Sequence, residues 1–270
     1  MRRSVMAVAI VLFFLTFAGL ADAQTSRHHH KRWRRSGAVK TASGLIYLIT
    51  QKGTGRLPKK GETVLVNYTG TLTSGLKFDS SLDRGATPLP FTLGAGEVIK
   101  GWDEGVSKLH IGDKAILVIP PGIAYGVKGA GNVIPPNSTL IFIVELMDIK
   151  AGSLSKLLFE TLKTGGSDAM LARYRELKAK GLGDIYTSES DLNGLGYRLL
   201  RLKQNDNAIT VFKLIVDEYP NSANAYDSLG EAYIAARQRQ LAIDAYEKAL
   251  TIDPAFPSAI AALKKLRSAP

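Results

Sequence analysis

The feature that most constrains the fold is an internal repeat with a period of 34 residues in the last third of the chain. Leu195-Gly196 returns as Leu229-Gly230, and Ala208-Ile209 returns as Ala242-Ile243. Small residues at these places allow two antiparallel helices to approach closely. The segment is therefore predicted to be a stack of helix pairs, in which each pair buries its apolar face against the next.

Aromatic and proline residues follow the same period. Phe212 and Tyr246 are expected to fill the space between paired helices, and Pro220 and Pro254 to end each second helix. The period and the residue types resemble the tetratricopeptide repeat. The first copy departs from that pattern by placing leucine at positions 192 and 199 and isoleucine at 215. The resemblance implies repeats at 189–222 and 223–256, with a capping helix from Pro257 to Leu266.

The middle of the chain, residues 42–150, has a different pattern of apolar residues. Short alternating apolar runs bounded by glycine and proline predict strands. Trp102, Val106 and Leu109 recur at spacings of four and three, which predicts one short helix from Gly101 to Leu109. We expect an α+β domain, a curved antiparallel sheet wrapped on that helix. The strands are expected at 64–66, 90–93, 115–119 and 140–144.

Two sequence blocks in this domain match one family together. Val64 to Phe78 runs directly into Asp79-Ser80-Ser81, and Glu97-Val98-Ile99-Lys100-Gly101-Trp102 follows downstream. With Ile119-Pro120-Pro121, Ala124-Tyr125-Gly126 and the segment from Ile134 to Phe142, they resemble the FKBP-type peptidyl-prolyl cis/trans isomerases. Taken singly, each aromatic residue would be read as part of a β-protein core; the matched motifs reverse that reading.

The resemblance implies a set of site residues. Trp102 would form the floor under the proline ring, and Ile99 would offer its backbone N–H. The Tyr68 hydroxyl would donate a hydrogen bond to the Asp79 carboxylate, and the Tyr125 hydroxyl would donate one to the carbonyl of the bound peptide. Asp79 is also expected to form a buried ion pair with Arg84. The implied catalytic residues are Phe78, Asp79, Trp102, Tyr125 and Phe142, and the implied substrate-binding residues are Tyr68, Arg84, Glu97, Val98, Ile99, Val133 and Ile134.

The implied reaction needs neither a cofactor nor a metal. Rotation about an X-Pro peptide bond meets a barrier of about 18–20 kcal/mol because amide resonance must be broken. A pocket that excludes water disfavours the planar, charge-separated amide, and a placed donor holds the twisted form. Ala130, Leu89 and one added residue between Arg84 and Phe91 depart from the family pattern. These departures leave open which residue before proline is preferred and how tightly macrolide inhibitors would bind.

The first residues are typical of a secretory signal peptide, expected at 1–23. Arg2 and Arg3 precede an apolar run from Val5 to Leu20, and Ala21-Asp22-Ala23 resembles a cleavage site. The alternative is a membrane anchor, but this run is shorter than the roughly 20 residues that span a bilayer. We therefore expect export, to a bacterial periplasm or the medium, without a stable membrane anchor. The chain has no cysteine, so disulfides and thiol chemistry are excluded.

Residues 24–41 are expected to form a disordered basic arm. The chain has a formal net charge of +11, and five basic residues lie between Arg27 and Arg35. A contact with anionic lipid or nucleic acid is the less favoured reading, because the arm has one aromatic residue and no recognisable binding fold. Residues 151–188 are read as a helical connector, with two apolar stripes separated by Gly165-Gly166.

Two functions are weighed for the whole chain. The first is an isomerase that acts on proline-containing polypeptides and assists the folding of exported proteins. The alternative is a peptide-binding chaperone or adaptor with little turnover, in which the repeats dock a protein partner. For the repeats themselves, an architectural or dimerising role is weighed equally with docking.

Overall fold

The computed structural model describes residues 37–268, which form two compact units that divide between Ala151 and Gly152. The predicted signal peptide and most of the predicted basic arm lie outside the described residues. Within the described part, no helix is long and apolar enough to cross a membrane.

Within residues 37–151, the first unit is built on one antiparallel sheet of seven strands. The order across the sheet is β1-β2-β6-β7-β3-β4, and β5 also pairs with β3. The strands are β1 (Val39–Lys40), β2 (Ile46–Gln51), β3 (Thr63–Leu72), β4 (Lys77–Ser80), β5 (Leu89–Thr92), β6 (Lys114–Ile119) and β7 (Leu140–Lys150). The predicted antiparallel sheet is confirmed, with three strands that the sequence patterns did not indicate: β1, β2 and β4.

Strand β3 holds the sheet together. It pairs with β7 along its whole length, while its other edge is shared by β5 and then β4. Alternate residues of a strand face the same side, and Val64, Val66 and Tyr68 are accordingly buried in one core. This alternation brings Tyr68 onto the inner face of the sheet, next to the residues that build the site.

Within residues 37–151 the structure describes one α-helix, α1 (Lys100–Val106), which lies against β6. A Cβ atom at Gly101 would stand 2.4 Å from Ile119, and one at Gly105 would stand 2.8 Å from Leu117. The two glycines are four residues apart and therefore share one face of the helix. Their missing side chains allow α1 to approach the sheet closely enough to bury Trp102 beneath it.

The end of the predicted arm belongs to the sheet. Val39 pairs with Tyr47 and Lys40 with Ile46, in an antiparallel β1–β2 ladder. The prediction that disorder extends to residue 41 is therefore wrong at this end. The pattern was hard to recognise because a strand of two exposed residues carries no alternation of polar and apolar side chains.

The second unit, described for residues 152–268, is helical. A two-stranded parallel pair, β8 (Gly152–Ser153) with β9 (Ile185–Tyr186), brackets its first helical segment. The helices are α2 (Leu154–Ala179), α3 (Glu189–Arg201), α4 (Asn205–Glu218), α5 (Ala223–Ala235), α6 (Arg239–Ile252) and α7 (Pro257–Ser268).

Segment α2 is two helices separated by a break at Gly166, whose φ of 75° and ψ of −174° are not helical. A straight helix of 26 residues would be about 39 Å long, which is incompatible with the pairing of β8 and β9 at its two ends. The chain therefore folds back at Gly166. The predicted separation of the two apolar stripes at Gly165-Gly166 agrees with this reversal.

The repeats pack as their small residues predict. A Cβ atom at Gly196 would stand 2.4 Å from the Phe212 ring, and one at Gly230 would stand 2.6 Å from the Tyr246 ring. Each ring thus occupies the place that a side chain on the facing helix would take. Helices α4 and α6 end two residues before Pro220 and Pro254, respectively.

Candidate functional site

Aromatic rings from the sheet and from α1 form one cluster around Trp102. The centroid of the Trp102 ring lies 5.0 Å from that of Tyr68 and 5.2 Å from that of Phe142, both in edge-to-face geometry. Phe91 lies 5.9 Å from Trp102, and Phe78 lies 5.5 Å from Phe142. Four of the predicted site residues, Tyr68, Phe78, Trp102 and Phe142, are therefore brought together, and Phe91 is added to them.

Gly70 is required for this arrangement. A Cβ atom there would stand 2.6 Å from Phe78 and 2.7 Å from Phe142. Both rings therefore lie across the backbone of β3 at the one place where it has no side chain. Gly70 was not among the predicted site residues, because the need for glycine arises only when β4 and β7 pair on either side of β3.

A polar group borders the aromatic cluster. The Tyr68 hydroxyl donates a hydrogen bond to Asp79, and the Arg84 guanidinium donates to Asp79 Oδ1 at 2.6 Å and to the Tyr68 hydroxyl at 2.8 Å. The expected ion pair is present, but its burial is wrongly predicted. The side chains are 43% exposed at Asp79 and 53% exposed at Arg84, so the pair lies on the surface beside the rings.

These contacts keep Asp79 ionised. Burial alone would raise the pKa of Asp79, but hydrogen bonds from Tyr68 and Arg84 hold that pKa below its usual value. Burial and the hydrogen bond to Asp79 raise the pKa of Tyr68, so the hydroxyl keeps the proton that it donates. At neutral pH the group therefore carries one carboxylate, one guanidinium and a neutral phenol.

Two serines fix the strand that carries Asp79. The Ser81 hydroxyl accepts from the Tyr68 N–H at 3.0 Å and donates to Asn67 at 3.1 Å. The Ser80 hydroxyl donates to the Tyr68 carbonyl at 3.0 Å. Both serines are buried, so β4 cannot slide along β3 without breaking these bonds. Their roles explain physically why two hydroxyl residues follow Asp79.

The segment before α1 packs against the same core as the aromatic cluster. Val98 and Ile99 are half-buried and pack against the core of the sheet. Ile99 is the residue immediately before the helix, and within residues 37–268 no acceptor receives a hydrogen bond from its N–H. Glu97 is exposed, and its carboxylate accepts from the Thr92 N–H at 2.8 Å. The structure thus gives Glu97 a contact with β5, besides its predicted contact with a peptide.

Asp103 is a further residue with a role at the site that was not predicted from the sequence. Its carboxylate accepts from the Gly94 N–H at 2.8 Å and from the Gly96 N–H at 3.3 Å. These bonds tie the turn between β5 and α1 to the helix itself. They thereby fix where Val98 and Ile99 stand, and no motif revealed this role.

The loop between β6 and β7 carries the remaining predicted residues. Tyr125 is 42% exposed and Val133 is 55% exposed, whereas Ile134 is buried in the core. Ile134 and Ala130 exchange two backbone hydrogen bonds, which closes the tip of the loop. Tyr125 and Val133 are thus available to a ligand at the surface, while Ile134 supports the loop from below.

The two positions that depart from the family pattern have defined places. Leu89 begins β5 and pairs with Val66 of β3, partly buried against the core. Ala130 lies at the loop tip, partly buried. Within the described residues, no group of three or more His, Cys, Asp or Glu side chains is placed to hold a metal ion.

Comparison with known sequences assigns both parts of the chain. The family of FKBP-type peptidyl-prolyl cis-trans isomerases matches residues 54–147. Two tetratricopeptide-repeat families match residues 194–222 and 223–256.

Individual proteins are similar to the first unit. FK506-binding protein 1 of Dictyostelium discoideum is 52% identical over 107 residues, which are 40% of this chain and 99% of that protein. Peptidyl-prolyl cis-trans isomerase Fkbp12 of Drosophila melanogaster is 57% identical over 93 residues, 34% of this chain and 85% of that protein. An FK506-binding protein of Neisseria meningitidis serogroup B is 54% identical over 106 residues, 39% of this chain and 96% of that protein. The chain therefore belongs to the FKBP-type peptidyl-prolyl cis-trans isomerases and carries tetratricopeptide repeats after its isomerase domain.

Proposed function

We propose that this chain isomerises X-Pro bonds of exported proteins in the aromatic cluster around Trp102. The observation that carries the proposal is the edge-to-face packing of Tyr68 and Phe142 on Trp102, beside the polar group of Asp79 and Arg84. A proline ring has no N–H and is largely apolar, so it suits an aromatic floor. The peptide groups on either side of the proline are polar, and the Ile99 N–H and the Tyr125 hydroxyl can donate hydrogen bonds to them.

The rate gain is assigned to exclusion of water and to placed donors. The planar amide is charge-separated and well hydrated, and it loses more on entering an apolar site than the twisted amide does. The Ile99 N–H, which has no described protein acceptor, supplies a donor for a substrate carbonyl. The Tyr125 hydroxyl supplies a second donor from the loop. No proton transfer or covalent step is needed.

Asp79 is assigned a positioning role. Its ionised carboxylate holds the Tyr68 hydroxyl and the Arg84 guanidinium on one side of the cluster. Because its pKa is lowered, it is a poor proton donor at neutral pH. The proposal therefore predicts a rate that is flat with pH around neutrality.

The direct test is the rate of cis/trans exchange in a short X-Pro peptide, with the variant Asp79→Leu compared with Asp83→Leu. Asp83 lies in the same segment and pairs with Lys77 at 2.7 Å, so its loss removes an equivalent exposed ion pair away from the rings. We expect Asp79→Leu to lose most of the acceleration and Asp83→Leu to keep it. A folded parent without acceleration would instead favour the alternative, a peptide-binding chaperone with little turnover.

The assignment to exported clients rests on the sequence before Gln24, where a charged start, an apolar run and Ala21-Asp22-Ala23 follow one another. Amino-terminal sequencing of the protein from cell fractions tests it. A start at Gln24 in the periplasmic fraction or the medium supports export, and an uncleaved chain in the cytoplasm contradicts it.

Binding of macrolide inhibitors is a further part of the proposal. Relatives of this chain are named FK506-binding proteins, and the aromatic cluster offers an apolar ligand the same surface as a proline ring. Inhibition of the exchange rate by FK506 would support it, and an unchanged rate at saturating FK506 would contradict it. Ala130 and Leu89 are the positions where weaker inhibition would arise.

A further inference from the structure

The sheet of the first unit has a second apolar face, on the side opposite its core. The core takes alternate residues of β6, namely Ala115, Leu117 and Ile119. Ile116 and Val118 lie between them and therefore face the other side. Antiparallel pairing places apolar neighbours beside both residues on β2 and β7. This outer face consists of Ile46, Leu48, Ile116, Val118, Ile141 and Ile143.

Three residues of the outer face are buried although they face away from the core. Ile116, Val118 and Ile141 are each only 3% exposed. None of the three belongs to either of the two apolar cores described for residues 37–268. An antiparallel sheet that packs on one side usually leaves its other side in contact with water. The burial of these side chains therefore indicates that the outer face is covered in the folded protein.

Polar residues border the outer face on two sides. Thr69 and Thr71 of β3 lie beside its β7 residues. The ion pair of Lys114 with Glu145, 3.2 Å long, occupies the next row along β6 and β7. An apolar patch with a polar border is typical of a surface on which another segment packs.

The chain enters the described structure beside the outer face. Gly37 is the first described residue, and its φ of 77° lies in the left-handed region that glycine adopts readily. This conformation turns the chain out of the line of β1. A Cβ atom at Gly37 would stand 3.7 Å from Cδ1 of Leu48, a residue of the outer face. The residues before Gly37 therefore start next to this face.

The preceding segment is long enough to cross the outer face. Trp33 is four residues before Gly37, so an extended chain carries it up to about 14 Å away. Neighbouring strands are about 4.8 Å apart, which puts β6 and β7 about 5 and 10 Å beyond Leu48 on β2. Trp33 is the one Phe, Tyr or Trp of the predicted arm, and its large apolar ring suits the cover of Ile116 and Ile141.

We propose that residues 24–36 pack on the outer face of their own sheet, with the Trp33 ring over Ile116. Arg32 and Arg34 face water, because successive side chains of an extended segment point to opposite sides. The aromatic cluster belongs to the core on the other side of the sheet, so this packing leaves the isomerase site open. The outer face is thus an interaction surface that the chain itself occupies, rather than a second copy or a partner protein.

The absence of cysteine allows a single introduced thiol to report on either side of β6. Ile116→Cys places a thiol on the outer face, and Ala115→Cys places one in the core, one residue earlier. The rate of reaction with N-ethylmaleimide is compared between residues 24–270 and residues 37–270. We expect the deletion to speed the reaction of the Ile116→Cys thiol at least about tenfold. The Ala115→Cys thiol should react at the same rate in both proteins.

Trp33→Ser tests the ring without shortening the chain, and Arg34→Ser is the matched control in the next residue. We expect Trp33→Ser to speed the reaction of the Ile116→Cys thiol nearly as much as the deletion does. Arg34→Ser should change the rate by no more than about twofold, as is usual for a side chain at the surface. Circular dichroism checks that each protein is folded, and Val118→Cys repeats the measurement at a second buried residue of the outer face.

Three results would overturn the proposal. The first is a fast reaction of the Ile116→Cys thiol already in residues 24–270, which would mean that the face is open. The second is slow reaction that persists in both the deletion and Trp33→Ser. The third is protection that is lost on dilution, together with a dimer in sedimentation, since a second copy would then be the occupant. Packing within one chain requires protection that does not depend on the protein concentration.

Discussion

The Tyr68 hydroxyl donates a hydrogen bond to the Asp79 carboxylate, which links the middle of β3 to the end of β4. Arg84 then bonds to both residues. The three side chains form a closed group, so the loss of one member leaves the other two with altered charge and position.

We expect Tyr68→Phe to show this dependence. Removing the hydroxyl takes a donor from Asp79, so the pKa of Asp79 should rise toward its usual value. Unfolding in urea should show a loss of about 1 kcal/mol, and the exchange rate should fall. Titration of the Asp79 carboxyl by NMR provides the direct measurement. Tyr47→Phe is the control, since no hydrogen bond of the Tyr47 hydroxyl is found among the described residues; an unchanged pKa of Asp79 in Tyr68→Phe would contradict the role given to the hydroxyl.

Gly70→Ala tests the crossing of the two phenylalanine rings over β3. The added methyl would overlap Phe78 and Phe142, and overpacking of this kind costs about 1–3 kcal/mol. We expect lower stability and a lower exchange rate, because both rings belong to the aromatic cluster. Gly122→Ala is the control, as a Cβ atom there meets no atom within 4 Å. Equal stability of the two variants would show that the rings move aside freely.

Helix α3 offers a pair of substitutions with opposite expected signs. Gly196→Ala places a methyl against the buried Phe212 ring and should destabilise the repeats by about 1–3 kcal/mol. Gly194→Ala, two residues earlier, meets no atom within 4 Å and should stabilise the helix by up to about 1 kcal/mol. Thermal unfolding followed by circular dichroism compares them. The same sign for both would contradict the close approach of α3 and α4.

Asp227→Asn should raise the stability of the helical unit at neutral pH. The folded pKa of Asp227 is raised, so the ionised form penalises folding at pH values above that pKa. The penalty shrinks as the pH falls toward the unfolded value near 3.9. The midpoint of thermal unfolding of the parent should therefore approach that of the variant between pH 7 and pH 4. A constant difference over this range would show that Asp227 is not the group concerned.

The sequence predicted the elements that are marked by a pattern along the chain. The 34-residue period placed the paired helices, and short runs such as Ala115 to Ile119 placed the longer strands. The motifs also brought Tyr68, Phe78, Trp102 and Phe142 to one site. The strands follow from patterns of neighbouring residues, the helix pairs from the repeat period, and the site residues from the resemblance of the motifs to one family.

Residues whose role depends on distant partners could not be found in this way. Gly70 is required only because β4 and β7 flank it, and Asp103 acts only through the turn at Gly94 and Gly96. The exposure of Asp79 and Arg84 was mispredicted for the same reason, since burial of an ion pair depends on the packing around it. Such facts arise from register and packing, which a single sequence does not display.

The pairing of β8 with β9 would hold the second unit together after proteolytic cleavage near Gly166. The two halves of α2 are joined covalently at Gly166 and are also fastened at their far ends by Gly152 with Ile185 and Ser153 with Tyr186. A protease that nicks the chain at the reversal would therefore leave both fragments held together. On a denaturing gel the protein would run as two pieces, while on a sizing column it would still elute as one.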